Sequence, residues 1–221
     1  IENCVNMASV TFKGNTGSGS FSLLRMGGII GSASPTDYNC YIRNCVNKGN
    51  VVNEGSSDSV NIGGVVGYLG LKSSSKEAYV KDCENYGLVK NSGTASTLRM
   101  SGIVGEMYNS SLVDRCTNYG NVVSEKAETS SSIYLGGIVG IGTTVKSVGP
   151  ITVRNCENYG KLADSADTQA SEFGGVVGRC QSSSSSHLCH VVNCVNRGNL
   201  THSGSVSSEL RVGGIIGFSW N

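Results

Sequence analysis

Cys116-Thr117-Asn118-Tyr119-Gly120-Asn121-Val122, followed further on by Gly136-Gly137-Ile138-Val139-Gly140, decides the fold, because both runs recur in alternation along the whole chain. The first pattern, Cys-x-Asn-x-Gly-x-aliphatic, returns at Cys45-Asn47-Gly49-Val51, Cys83-Asn85-Gly87-Val89, Cys156-Asn158-Gly160-Leu162 and Cys194-Asn196-Gly198-Leu200, and at Cys4-Asn6-Ala8-Val10 with alanine for the glycine. The second, Gly-Gly-aliphatic-aliphatic-Gly, returns at Gly27 to Gly31, Gly63 to Gly67, Gly174 to Gly178 and Gly213 to Gly217, with Ser101 to Gly105 as its variant. Cys45 and Cys83, like Cys156 and Cys194, stand 38 residues apart, and the length differences fall between the motifs, where loops leave a repeating core.

Alternation of faces along a strand then says which side chains point inward. Leu24-Met26-Gly28-Ile30, Val60-Ile62-Gly64-Val66, Leu98-Met100-Gly102-Val104, Ile133-Leu135-Gly137-Val139 and Leu210-Val212-Gly214-Ile216 step by two and form one buried face, with Ser171-Phe173-Gly175-Val177 as a polar-first copy. Ile42, Val80, Val113, Val153 and Val191, three residues before a motif cysteine, mark a second strand, and the Cys-x-Asn-x-Gly-x-Val run reads as a third strand broken by a turn. Half a dozen aliphatics per repeat, at roughly 1.5–3 kcal/mol each when buried, cannot offset about 1–2 kcal/mol of backbone entropy per ordered residue. Repeats must therefore stack. The expected fold is all-β: a right-handed, parallel β-helix-like solenoid of six repeats, over 1–31, 32–67, 68–105, 106–140, 141–178 and 179–217, forming a single domain across 1–221.

Composition agrees with strands and tight turns: glycine, serine and asparagine abound, and only 2 prolines occur. A formal net charge of +1, with 15% charged residues, supplies no field to hold nucleic acid or an anionic membrane. The apolar runs are far shorter than the ~20 residues of a transmembrane helix. Ile1 opens directly on a motif, so the chain is expected to be an excerpt or a processed product.

Gly-Gly-aliphatic-Val-Gly, followed by aliphatic-x-x-Cys and then Gly-x-Val, resembles the GLUG-motif repeat of secreted and surface proteins of bacteria and some protists, including adhesins and the non-catalytic regions of immunoglobulin A-cleaving peptidases. The resemblance runs from Cys4 to Gly217. It implies a solenoid on a cell surface and carries over no catalytic residue. Two departures stand out: the connectors from the Gly-Gly motif to the next cysteine are longer here, and the asparagine is more regular.

Cys4, Cys45, Cys83, Cys116, Cys156 and Cys194 share one repeat position, so they are expected to form an internal column. Small buried thiols fit such a column; disulfides between rungs are the rival, opposed by parallel Cβ vectors. Cys180 and Cys189 bracket a serine run and suggest a local disulfide, and with it an oxidising compartment. Zinc is the alternative there, with His187 and His190 beside the two cysteines. Cys40 has no obvious partner.

Asn6, Asn47, Asn85, Asn118, Asn158 and Asn196 read as an amide ladder, or less simply as a ligand-binding row. Tyr86, Tyr119 and Tyr159 should stack on the surface, either as intercoil packing or as a contact strip for a glycan or peptide. Ile29, Val65, Ile103, Ile138, Val176 and Ile215 fall on outward parity, which points to a glycine bend, a covering connector or a lateral assembly surface. Asn109 and Asn199 head glycosylation sequons.

No Ser/His/Asp set, paired carboxylates or phosphate loop can be assembled, and Glu84 and Glu157 merely share a surface position. The expected role is a non-catalytic structural or adhesive segment of an extracellular or surface protein, without cofactor or metal. Its expected partners are further repeats or copies of itself, a glycan or a host or matrix protein. A carbohydrate-binding or carbohydrate-active β-helix is the alternative, to be recognised by a cleft that breaks the repeat on one face.

Overall fold

Five short strands, joined at corners, make up one turn of the chain, and successive turns lie on one another in parallel register. The computed structural model describes residues 1–16, 22–71, 76–125, 131–145, 149–183 and 188–220, and among these there is no helix. Taking the second coil as the example, the strands are Cys40–Arg43, Val46–Asn47, Val51–Asn53, Ser56–Gly63 and Val66–Gly70, which seed the first to fifth sheets in that order. Four of the sheets have six strands and the first has five, because in the first coil only a single bridge, Glu2 to Arg43, takes the place of its strand. The chain is thus a β-solenoid. The three strands per repeat expected from parity are five, since the third is broken at its Asn-x-Gly turn, as expected, into Val46–Asn47 and Val51–Asn53, and the strand through the Gly-Gly motif breaks there into Ser56–Gly63 and Val66–Gly70.

Register superposes the sequence motifs. Asn6, Asn47, Asn85, Asn118, Asn158 and Asn196 pair in an unbroken series, and Val51 lies between Val10 and Val89. The residue before each motif cysteine, namely Asn3, Asn44, Asp82, Arg115, Asn155 and Asn193, has φ between 51° and 55°. This left-handed corner suits Asn and Asp, whose short polar side chains tolerate it. Arg115, the exception, is tied down by two bonds from Nε and Nη2 to Asp82 at 2.6 and 2.8 Å.

The interior holds two apolar cores separated by the asparagine column. Ile42, Val66, Leu69, Val80, Val113 and the thiol column fill one, between the first and fifth sheets. Val51, Val60, Ile62, Leu98, Met100 and Phe173 fill the other, between the third and fourth. Of the readings for the row on outward parity, the glycine bend is the one the structure shows: Val65, Ile103, Ile138 and Val176 are fully buried in the first core. Strict alternation fails there because the chain bends at the Gly-Gly pair, so the residue after the bend turns inward and no lateral apolar surface results.

Candidate functional site

The two motifs of the sequence meet in space. A Cβ placed on Gly64, Gly102 or Gly137 would lie 2.3, 2.0 or 2.4 Å from the side-chain carbon of Asn85, Asn118 or Asn158, the asparagine of the following coil. Only glycine leaves room there for the amide. Each interior amide is fully bonded: Asn85 donates to Gly87 O at 2.9 Å and to Asn118 Oδ1 at 2.9 Å, while its own Oδ1 accepts from Asn47 at 2.8 Å. Since these amides are buried and mutually satisfied, they offer nothing to a ligand.

Beside them, Cys45, Cys83, Cys116 and Cys156 are buried and free, with Cys4 exposed and Cys194 half-buried on the outermost rungs. Each thiol donates to the carbonyl two residues back, as Cys83 does to Lys81 O at 3.2 Å. Burial, then the neighbouring thiols Cys156 and Cys83, push the Cys116 thiol well above its usual range. Hydrogen bonds from Cys116 act the other way on its two neighbours, lowering Cys83 and, with Cys194, lowering Cys156 to about 4 against their burial; in geometry the column is a row of small buried groups packed against one another.

Cys180, on the last strand of the fifth coil, and Cys189, on the first strand of the sixth, are joined by a disulfide that closes the intervening connector. With both sulfurs consumed, the zinc arrangement loses its thiolates; His187 lies outside the described residues, and His190 is exposed on the outer face of the first sheet. Among the described residues no group of three or more His, Cys, Asp or Glu is placed to hold a metal. Cys40 is a free, half-buried thiol whose pKa is raised by burial.

Tyr86, Tyr119 and Tyr159 stack with ring centroids 4.6 and 5.2 Å apart, and Arg197 lies 5.6 Å from the last ring. Stacking along the solenoid axis spends both faces of Tyr119 and one face each of Tyr86 and Tyr159 on one another, so intercoil packing occupies most of the strip's flat surface. Glu84 and Glu157 are surface groups that accept the Tyr86 and Tyr159 hydroxyls at 2.9 and 2.5 Å. Of the sequons, Asn199 is exposed. Asn109 is only 2% exposed, and its amide spans Leu71 O at 3.4 Å and Val145 N at 2.8 Å, so its nitrogen is not presented to a glycosylating enzyme.

Two polar features escape sequence reasoning. Outside the Gly-Gly bend, side chains of the fourth and fifth sheets clasp one another: Arg25 lies 3.9 Å over Tyr68, Asn61 donates to Glu106 at 2.6 Å, and Arg179 and Arg211 flank Glu172 at 3.5 and 2.6 Å. Burial raises the Glu172 pKa even against these two arginines. Inside the second core, Asn53, Asn91, Ser124, Asp164 and His202 share one column. Asn53 donates to Asn91 at 2.7 Å, whereas Asp164 accepts from Ser171 at 3.1 Å and lies 3.3 Å from His202 Nδ1.

At the far end the pattern stops. Nothing lies within 4 Å of a Cβ on Gly214, although its five counterparts each face an asparagine of the next coil. No protein-family profile matches the chain, and neither the curated proteins nor the solved structures contain a significant match to it.

Proposed function

We propose that the chain is a non-catalytic structural or adhesive repeat segment of an extracellular or cell-surface protein, extended end to end by further coils of its own kind. The in-register stacking of the asparagine position through all six coils carries this reading, because each coil presents the same surface to the next. Asn196 Nδ2 donates to Gly198 O at 3.0 Å and stands in the column position from which every earlier asparagine also donates to the next rung. The opposite face offers the complement, since Asn6 Oδ1 accepts only from Ala8 N at 3.1 Å where the later members also accept from an asparagine. A further coil offering an asparagine at either position would continue the column, and a head-to-tail contact of that kind grows as a filament and does not close. The resemblance to GLUG repeats and the Cys180–Cys189 disulfide support an oxidising, extracellular setting.

Sedimentation and electron microscopy over a range of concentrations test it. Growth into rods longer than one molecule, blocked by Gly214→Val with the fold intact, is the expected result. Monodisperse single rods at every concentration, or filaments that Gly214→Val leaves unchanged, would overturn it.

A further inference from the structure

On the outer face of the first sheet the repeat is broken once. Most connectors from the fifth sheet to the next first-sheet strand span several residues, such as 71–77 before Ala78 and 145–150 before Ile151. Between those two, the connector into Ser111 is only Asn109 and Ser110, both in the left-handed region with φ of 43° and 37°. The short turn leaves a notch of about 520 Å³ over three coils, between Lys76 and Glu77 on one side and Pro150 on the other. That volume lies within the roughly 300–1,000 Å³ of small-ligand sites. The buried Asn109 amide bonds to Leu71 O and Val145 N, the described residues that directly follow the fifth-sheet strands on either side.

The floor carries Tyr79, Leu112 and Thr152, with Lys81 and Arg154 along one edge. Lys81 and Arg154 belong to one column two rungs apart, or about 10 Å. Asp114, the acid between them, is buried. Burial pushes its carboxyl up, but hydrogen bonds from Arg154 and Asn155, with the charges of Arg154 and Arg115, outweigh this and hold it below the usual range. It is already neutralised and does not repel an anion. Lys76 and Lys81 have no ion-pair partner among the described residues, and Arg154 is shared with Asp114 at 3.2 Å, so two unpaired cations and one shared cation face one lining acid, Glu77.

The backbone of the floor is closed to strand addition, because each of its three strands is bonded on both sides. Recognition must come from side chains: cations at a fixed interval, hydroxyls, and an apolar patch. We propose that the notch binds a linear acidic oligosaccharide bearing a carboxylate on alternate rings, laid along the stacking direction. Alternate-ring carboxylates meet Lys81 and Arg154, and the ring between them rests on Leu112. The site lies on a side face and is independent of the end-to-end assembly.

A short hyaluronan oligosaccharide, titrated calorimetrically into the intact protein at low salt, is the probe, with a neutral dextran oligosaccharide and a polyglutamate peptide beside it. Saturable hyaluronan binding is expected, roughly tenfold weaker in the pair Lys76→Gln/Lys81→Gln and unchanged in the exposed control pair Lys48→Gln/Lys161→Gln. Replacing Asn109 and Ser110 with the first-coil connector 34–39 should fill the notch and abolish binding. Should that variant not fold, the lysine pair decides. No saturable binding, equal binding of dextran, tighter binding of polyglutamate, or equal loss in both lysine pairs would overturn the proposal.

Discussion

Leu98 and Leu210 hold the same place in the repeat, yet Leu98 is fully buried and Leu210 is 45% exposed. Met100 and Val212 repeat the contrast, with Val212 at 54%. The difference is only that Leu98 and Met100 have a rung on each side and Leu210 and Val212 have one. A coil contributes the residues, while its neighbours contribute the burial, so stability in this molecule is a nearest-neighbour property. The interior is where substitutions should be felt.

The sharpest way to break that contrast is a pair of glycines. Gly102→Val drives a side chain into the Asn118 amide, whereas Gly214→Val meets nothing. We expect a loss of about 4 kcal/mol or more, or failure to fold, for the first, and a change within about 0.5 kcal/mol for the second, by denaturant unfolding at a concentration where the protein is a single rod. Equal costs would break it.

Next comes the amide ladder. Asn118→Ala removes the acceptor of Asn85, the donor to Asn158 and the bond to Gly120 O, leaving buried groups unpaired. About 3 kcal/mol is expected. Asn6→Ala, exposed to water on its outer side, should cost about 1 kcal/mol or less by the same unfolding measurement.

A smaller effect is expected on the surface. Tyr119 stacks on both Tyr86 and Tyr159, so Tyr119→Ala should cost on the order of 1 kcal/mol and shift the near-ultraviolet circular dichroism of the strip. Tyr38, exposed and outside any stack, should tolerate alanine with no measurable loss.

The smallest effect sets the two halves of the inner polar column against each other. Burial raises the Asp164 pKa above its ordinary value, although bonds from Ala166 N, Ser124 and Ser171 and the proximity of His202 oppose this. The folded chain then holds a proton that the unfolded chain releases. Its contribution to stability is present below the ordinary carboxylate pKa and declines as pH rises through the raised one. Asp164→Asn restores the residue found at Asn53 and Asn91, and should stabilise by on the order of 1 kcal/mol or less at neutral pH. It should also flatten the slope of the unfolding midpoint between mildly acidic and neutral pH. An unchanged slope would place the titration elsewhere.

What was legible in the sequence was whatever repeats as an identical residue. Six asparagines at one position can only stack if the coils stack, and the glycines that seat them follow the same period. Parity alone put Ile103 and its row on the outer face, and it was the glycine pair beside them that made a bend one of the readings; a two-residue period cannot by itself choose among these. The left-handed corner was visible in principle, as Asn or Asp precedes five of the six motif cysteines. The clasp of Arg25, Glu106, Glu172 and Arg211 was not, since its members differ from coil to coil and meet across two sheets. Nor was the notch, because a connector's length acquires meaning only when its neighbours in space are known.

Hydrogen exchange of backbone amides, resolved by coil, tests the central claim most directly. Protection should climb from the outermost coils to those holding Asn85 and Asn118, with the amides at Tyr86 and Tyr119, bonded to the asparagine carbonyls of the preceding coil, among the slowest. Uniform protection from Val5 to Trp220, or ladder amides that exchange as fast as the connectors, would contradict a structure held together rung on rung.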